Sequence, residues 1–256
     1  MQAVLGHTLH GKGSEKVIIY HDWMSDCSSW TPVLPYLDMK RFTYALTDLR
    51  GYGRSIDLAG EYNETEAAAD TLELIDYLRW DRIHLVGFSM TGMVVERLAI
   101  DVPERIKSVV AIAAVSAAGF KMPDELRQKA IDSITDDEKL HELLDFAMGS
   151  RLSRQWKEFK LRSARETRTS SAARGYLDMF TLHDFSSEAG RITVPFLVIC
   201  GKYDLPNEQI DAQRTIFTQW HENIEFCEIE SGHYPMQEAP VRLQTVMHEF
   251  LSRHAD

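Results

Sequence analysis

The sequence predicts an α/β fold in which a mostly parallel sheet is flanked by helices and interrupted by one helical insertion. Three observations predict it. Short apolar, β-branched runs recur between helical stretches, which is the rhythm of parallel strands joined by crossover helices. Several of these runs (VIIY, HLV, VVAIAA, FLVIC) are continuously apolar, as strands covered on both faces must be. Between about 120 and 189 the strand signals stop, and polar, charged stretches carry helical apolar spacing instead.

In chain order the expected strands are 16–20, 42–46, 82–86, 108–113, 195–200 and 224–229. The stretch 65–78 supplies a connecting helix, with Ala68, Leu72, Ile75 and Leu78 along one face. Four helices are expected in the insertion. Leu126, Ala130, Ile131 and Ile134 mark one, and Leu140, Leu143, Leu144, Ala147 and Met148 a second. Trp156 with Phe159 suggests a third, and Ala173, Tyr176, Leu177 and Phe180 a fourth. No internal repeat and no Pro/Gly/Ser-rich linker separates independent units. The expected organisation is a core of 1–116 and 190–256 with a helical cap, 117–189, inserted into it.

A chain of 256 residues with 44% hydrophobic residues can bury one substantial core. Its formal net charge of −11 is spread along the chain, so it carries no electrostatic footprint for nucleic acid. Cys27, Cys200 and Cys227 are odd in number and lack CxxC spacing, which fits free thiols in a reducing cytosol. The N-terminal stretch has neither the basic nor the apolar region of a leader, and no apolar run approaches the roughly 18 residues of a membrane span. The expectation is a cytoplasmic protein acting on a small molecule, away from membranes, with a homodimer left open.

The run from Arg82 through Gly87-Phe-Ser89-Met-Thr91-Gly92 reads as strand, sharp turn, helix, with Ser89 at the turn. Such a turn lifts a serine hydroxyl above the sheet edge and sets the next amide, that of Met90, at a helix N-terminus where developing negative charge is stabilised. A second strand ends in Gly201-Lys-Tyr-Asp204, and a third is followed by Ser231-Gly-His233-Tyr-Pro-Met-Gln-Glu238. An isolated strand-end aspartate more often caps a loop, but the three residues together sit where open parallel sheets place their ligands. A histidine suits a base role because its ordinary pKa near 6.5 lets it take and return a proton at neutral pH. No HExxH, P-loop or clustered Cys/His spacing is present, so neither metal nor cofactor is expected. The lid arginines Arg151, Arg154, Arg162, Arg165 and Arg168 are read as a solvated face.

The order Ser, Asp, His on successive strand ends resembles the α/β-hydrolase superfamily, and the likeness covers nearly the whole chain outside the insertion. Val17-Ile-Ile-Tyr-His21-Asp22-Trp23-Met24 resembles the family's oxyanion loop, and Thr47-Asp48-Leu49-Arg50-Gly51-Tyr52-Gly53-Arg54-Ser55 another of its segments. The resemblance implies Ser89 as nucleophile, His233 as base, Asp204 as its orienting acid, and the Met90 and Trp23 amides as oxyanion donors. It implies a structural role for His21. Two residues depart from the pattern: Thr91 replaces the second glycine of Gly-x-Ser-x-Gly, and Asp22 replaces the loop glycine. A carboxylate there would oppose oxyanion binding, so the Asp22 side chain is expected to point away. The Ser89-Met-Thr-Gly-Met93 run and the Gly232-His-Tyr-Pro-Met-Gln-Glu-Ala-Pro240 ending resemble those of lid-bearing carboxylesterases and enol-lactone hydrolases, which implies cleavage of a small-molecule ester or lactone. A carbon–carbon bond hydrolase, a perhydrolase, or a slow-turnover ligand receptor on the same fold are the alternatives.

Overall fold

The computed structural model describes residues 4–256. Seven strands form one sheet in the order β1-β3-β2-β4-β5-β6-β7. They are β1 (His7–Gly11), β2 (Glu15–Tyr20), β3 (Phe42–Thr47), β4 (Ile83–Phe88), β5 (Ile106–Ile112), β6 (Phe196–Gly201) and β7 (Ile224–Ile229). Only β1 runs antiparallel, pairing with β3, and β2 through β7 are mutually parallel. The six strands expected from sequence are these parallel ones, with ends shifted by one or two residues. β1 was not anticipated: its HTLHG is short, polar and only half-buried, with Leu9 half exposed at the sheet edge.

The continuous apolar runs are explained by two cores, one on each sheet face. Ile18 and Tyr20 of β2 and Ile83 and Leu85 of β4 face one core, which is completed by helices α1 (Glu64–Tyr77) and α2 (Gly92–Asp101). Val17 and Ile19 of β2 and Val86 and Phe88 of β4 face the other. A short helix, α8 (Pro235–Glu238), and the long α9 (Pro240–Arg253) close that side, with Leu243, Met247 and Phe250 inward. Adjacent side chains point to opposite faces, so a strand covered on both sides can spare no position for water.

Between β5 and β6 lie α3 (Asp124–Asp132), α4 (Asp137–Met148), α5 (Arg154–Glu166) and α6 (Ser170–Leu182). Their starts are written locally. Asp136, Ser153 and Thr169 each accept a backbone N–H of the following first turn, the usual way to satisfy otherwise orphaned donors. Gly149 ends α4 at φ 57° in the left-handed region that favours glycine. After β6 comes α7 (Ile210–Phe217). Among the described residues no helix is long and apolar enough to cross a membrane. Cys27, Cys200 and Cys227 are free thiols.

Candidate active site

Ser89 follows β4 with φ +54°, one of five non-glycine residues in the left-handed region among the described residues. Such a backbone costs energy and persists only where the surroundings enforce it. The enforcement is visible. A Cβ on Gly87 would come within 2.8 Å of the Thr91 carbonyl oxygen, and one on Gly92 within 2.4 Å of the Val115 carbonyl oxygen. The close approach that the pattern assigns to the residue two after serine is made here by Gly92, three after it. Thr91 itself sits at φ −78° and carries no strain. Its Oγ1 accepts the Phe88 N–H at 2.8 Å, with the Phe88 and His21 carbonyls at 2.8 and 3.3 Å in reach of its own hydrogen. The threonine thus braces the turn.

The structure brings the three residues from different strand ends into one line. His233 Nδ1 donates to the Asp204 carboxylate at 2.9 Å to Oδ2 and 3.1 Å to Oδ1. That leaves Nε2 facing Ser89 Oγ at 3.1 Å. Asp204 Oδ1 also accepts the Leu205 N–H at 2.7 Å, which fixes the carboxylate plane. Burial would lower the pKa of His233, but attraction and hydrogen bonding from Asp204 outweigh it and raise it to about 9.

Glu208, near Asp204, is only 3% exposed and was not singled out from sequence. Gln213 Nε2 donates to one of its oxygens at 3.0 Å. Burial and then the Asp204 charge push its carboxyl up to about 8, so it is protonated at neutral pH. Because this folded-state pKa lies above an unfolded value near 4.5, its stabilising contribution is complete below the latter and is lost as pH rises through about 8. Glu208→Gln, which cannot ionise, is therefore expected to melt on the order of 5 °C above wild type at pH 9 and to match it at pH 5. An equal difference at both pH values in calorimetry contradicts this.

On the oxyanion side, His21 organises the loop as the resemblance implies. Its Nδ1–H donates to the Asp22 carbonyl at 2.8 Å, and its Nε2 accepts the Leu49 N–H at 3.0 Å. In a trans peptide N–H and C=O point oppositely, so tethering the Asp22 carbonyl aims the Trp23 N–H the other way. No acceptor for that N–H is found among the described residues. The Met90 side chain is packed in the core, which leaves the site only its amide at the start of the helical turn.

The Asp22 carboxylate is not left free: Oδ1 accepts from Ser25 Oγ at 2.6 Å, and Oδ2 from Tyr234 OH at 2.5 Å, with Lys160 Nζ at 3.4 Å. Burial alone would raise its pKa, but the Lys160 charge and the two hydroxyls hold it below the usual carboxylate range. Lys160 and Tyr234 are further residues the sequence did not flag. The pairing spans 138 positions and leaves no local trace.

Ser89 and His233 open onto a cleft between the sheet's strand ends and the inserted helices. Its walls are mainly apolar, with Phe120, Met122, Leu126, Leu143, Leu144 and Phe180 from the inserted segment. Asp22, Glu208 and His233 are its titratable lining groups besides Tyr234, and no lysine or arginine among the described residues lines it. No cluster of three or more His, Cys, Asp or Glu able to hold a metal occurs among the described residues.

The expectation of a solvated arginine face holds for Arg154 and Arg162, which are exposed, and needs correction at Arg168 and in part at Arg165 and Arg151. Arg168 is 7% exposed, donates to the Trp23 carbonyl at 2.6 Å and stacks over the Trp23 ring at 4.5 Å. Arg165 donates to the carbonyls of Ser133 and Ile134, and Arg151 pairs with the buried side chain of Glu238. A guanidinium satisfies carbonyls with its five donors while its plane packs on a ring, so charge alone did not predict solvation.

Comparison with known proteins agrees with this fold. A family model described as the alpha/beta hydrolase fold matches residues 16–240. The chain is 26% identical over 200 residues to a pimeloyl-acyl-carrier-protein methyl ester esterase of Legionella pneumophila, covering 76% of this chain and 77% of that one. It is 23% identical to 3-oxoadipate enol-lactonase 2 of Acinetobacter baylyi, covering 92% and 88%. A hydrolase structure from Oleispira antarctica superposes with a TM-score of 0.84 at 17% identity, covering 97% of this chain and 94% of that one. With the match spanning nearly the whole sequence and the sheet order in place, the chain belongs to the α/β-hydrolase fold family.

Proposed function

We propose that the protein is a serine hydrolase of small, uncharged, largely apolar carboxylic esters or lactones. The observation that carries this reading is the hydrogen-bonded line Ser89–His233–Asp204 opening onto a cleft that no lysine or arginine among the described residues lines. An esterase and an enol-lactonase among the relatives support it.

In the proposed mechanism Ser89 Oγ bonds to the substrate carbonyl carbon while His233 Nε2 takes its proton, and the carbonyl π pair moves onto oxygen. The N–H groups of Met90 and Trp23 receive that oxyanion. Collapse expels the alcohol oxygen, which leaves with the proton held on Nε2. Water, deprotonated by the same nitrogen, then attacks the acyl-enzyme, and the acid departs as Ser89 regains its proton. Asp204 keeps Nδ1 as the donor and steadies the imidazolium formed when Nε2 takes the proton. A rigid apolar wall supplied by the inserted helices holds the acyl chain and excludes water.

The lining also bears on substrate charge. An anionic tail would have to leave water for a mainly apolar cavity that, among the described residues, no lysine or arginine lines. We expect p-nitrophenyl butyrate to be hydrolysed with kcat/KM at least about tenfold above the matching hemisuccinate ester, a difference of roughly 1.4 kcal/mol. Turnover of neither ester, nor of neutral lactones, would overturn the hydrolase reading. Preference for the anionic ester would overturn the charge argument.

A further inference from the structure

Asp22 occupies the loop position where the resemblance to the α/β-hydrolase pattern expects glycine, and it lines the same cavity as Ser89. A carboxylate there works against charge developing on a substrate oxygen. The structure places a wholly buried cation against it. Lys160 of α5 is 1% exposed, with Nζ 2.9 Å from Ser25 Oγ, 3.4 Å from Asp22 Oδ2 and 4.3 Å from the centroid of the Tyr234 ring. A lysine this deep is costly unless paired, and here its hydrogen bonds go to the Asp22–Ser25 pair.

The next residue of the loop is held from the same direction. The Trp23 carbonyl accepts from Tyr52 OH at 2.8 Å and from Arg168 Nη1 at 2.6 Å. The Trp23 indole N–H donates to the Ala173 carbonyl of α6 at 2.7 Å. Arg168 Nη2 is buried without a partner, so no ion pair at that nitrogen explains its burial. Around it the backbone is stitched to the core, Gly53 N–H to the Thr167 carbonyl at 2.8 Å and Thr169 N–H to the Gly51 carbonyl at 2.9 Å. The carbonyls on either side of the Trp23 amide are therefore fixed, one by His21 and the other by Tyr52 and Arg168.

We propose that the inserted helices complete the oxyanion loop: Lys160 compensates the Asp22 carboxylate and Arg168 pins the Trp23 carbonyl, making both positioning residues for the Trp23 amide. The inserted segment then acts on the chemical step as well as on pocket shape. Removing Lys160 uncovers a negative charge beside the oxyanion, whereas removing the Asp22 charge as well takes the repulsion away.

This inference rests on the serine-hydrolase reading, so turnover of p-nitrophenyl butyrate by wild type is measured first; its absence sinks that reading separately. Given turnover, Lys160→Met is expected to lower kcat about a hundredfold, the scale of losing one oxyanion donor, with KM within about threefold. Inhibition by phenylboronic acid, which forms a tetrahedral adduct on serine, should weaken in parallel. The pair Asp22→Asn with Lys160→Met should recover to within about tenfold of wild type. A merely structural lysine would change melting temperature and leave kcat of the folded enzyme and boronate affinity unmoved. Arg168→Met, which orphans no carboxylate, provides the second arm if Lys160→Met does not fold: kcat falls at least about tenfold with boronate affinity following. Wild-type kcat in either folded single variant, or a double variant no better than Lys160→Met alone, overturns the proposal.

Discussion

Asp204→Asn is expected to lower kcat about 10⁴-fold while the protein stays folded, the scale set by removing the orienting charge of a serine–histidine–aspartate line. The carboxylate accepts Nδ1–H from His233 and the Leu205 N–H, and it donates nothing. An asparagine that keeps its oxygen toward Leu205 turns its NH₂ toward Nδ1. His233 then carries its proton on Nε2 and presents Ser89 with a donor where an acceptor is needed. Asp204 also raises the His233 pKa to about 9, so in wild type the neutral imidazole grows with pH and kcat/KM climbs toward that value. In the variant that limb shifts to lower pH. A fall of less than tenfold, or an unmoved limb, would contradict the role given to Asp204.

The second large effect is at Ser89. Ser89→Ala removes the atom that bonds to the substrate, and the expected loss in kcat is on the order of 10⁶-fold, leaving only what binding and the amide donors achieve with water. The fold should be retained. The +54° backbone angle at this position is strained for alanine as for serine, and Gly87 and Gly92 still permit the approach. Circular dichroism and melting temperature near wild type, with esterase activity gone, is the expected pair of results.

Much of this was legible in the sequence, and what was not has physical reasons. The parallel strands were legible because two-sided burial writes itself as unbroken apolar runs, and Val17 to Tyr20 alternate between the two cores. The inserted helices were legible from spacing, and Asp136, Ser153 and Thr169 stand at their starts. Ser89, Asp204 and His233 were legible because each sits just past a recognisable strand with glycine close before it. β1 escaped because a half-exposed edge strand needs no apolar run. Glu208 escaped because its burial beside Asp204 is a tertiary fact. The departures at Thr91 and Asp22 looked like defects when read locally. In space, Gly92 makes the close approach beside the turn and Lys160 supplies a cation for the carboxylate. Arg168 was misjudged because its partners are a carbonyl and a ring face, neither of which charge counting can see.

The central claim is that Ser89 is the nucleophile, activated by His233. A fluorophosphonate probe followed by peptide mapping tests it most directly. The account predicts one adduct, on the peptide carrying Ser89, absent in Ser89→Ala and strongly slowed in folded His233→Ala. Labelling on another residue, or none on folded wild type, would contradict it.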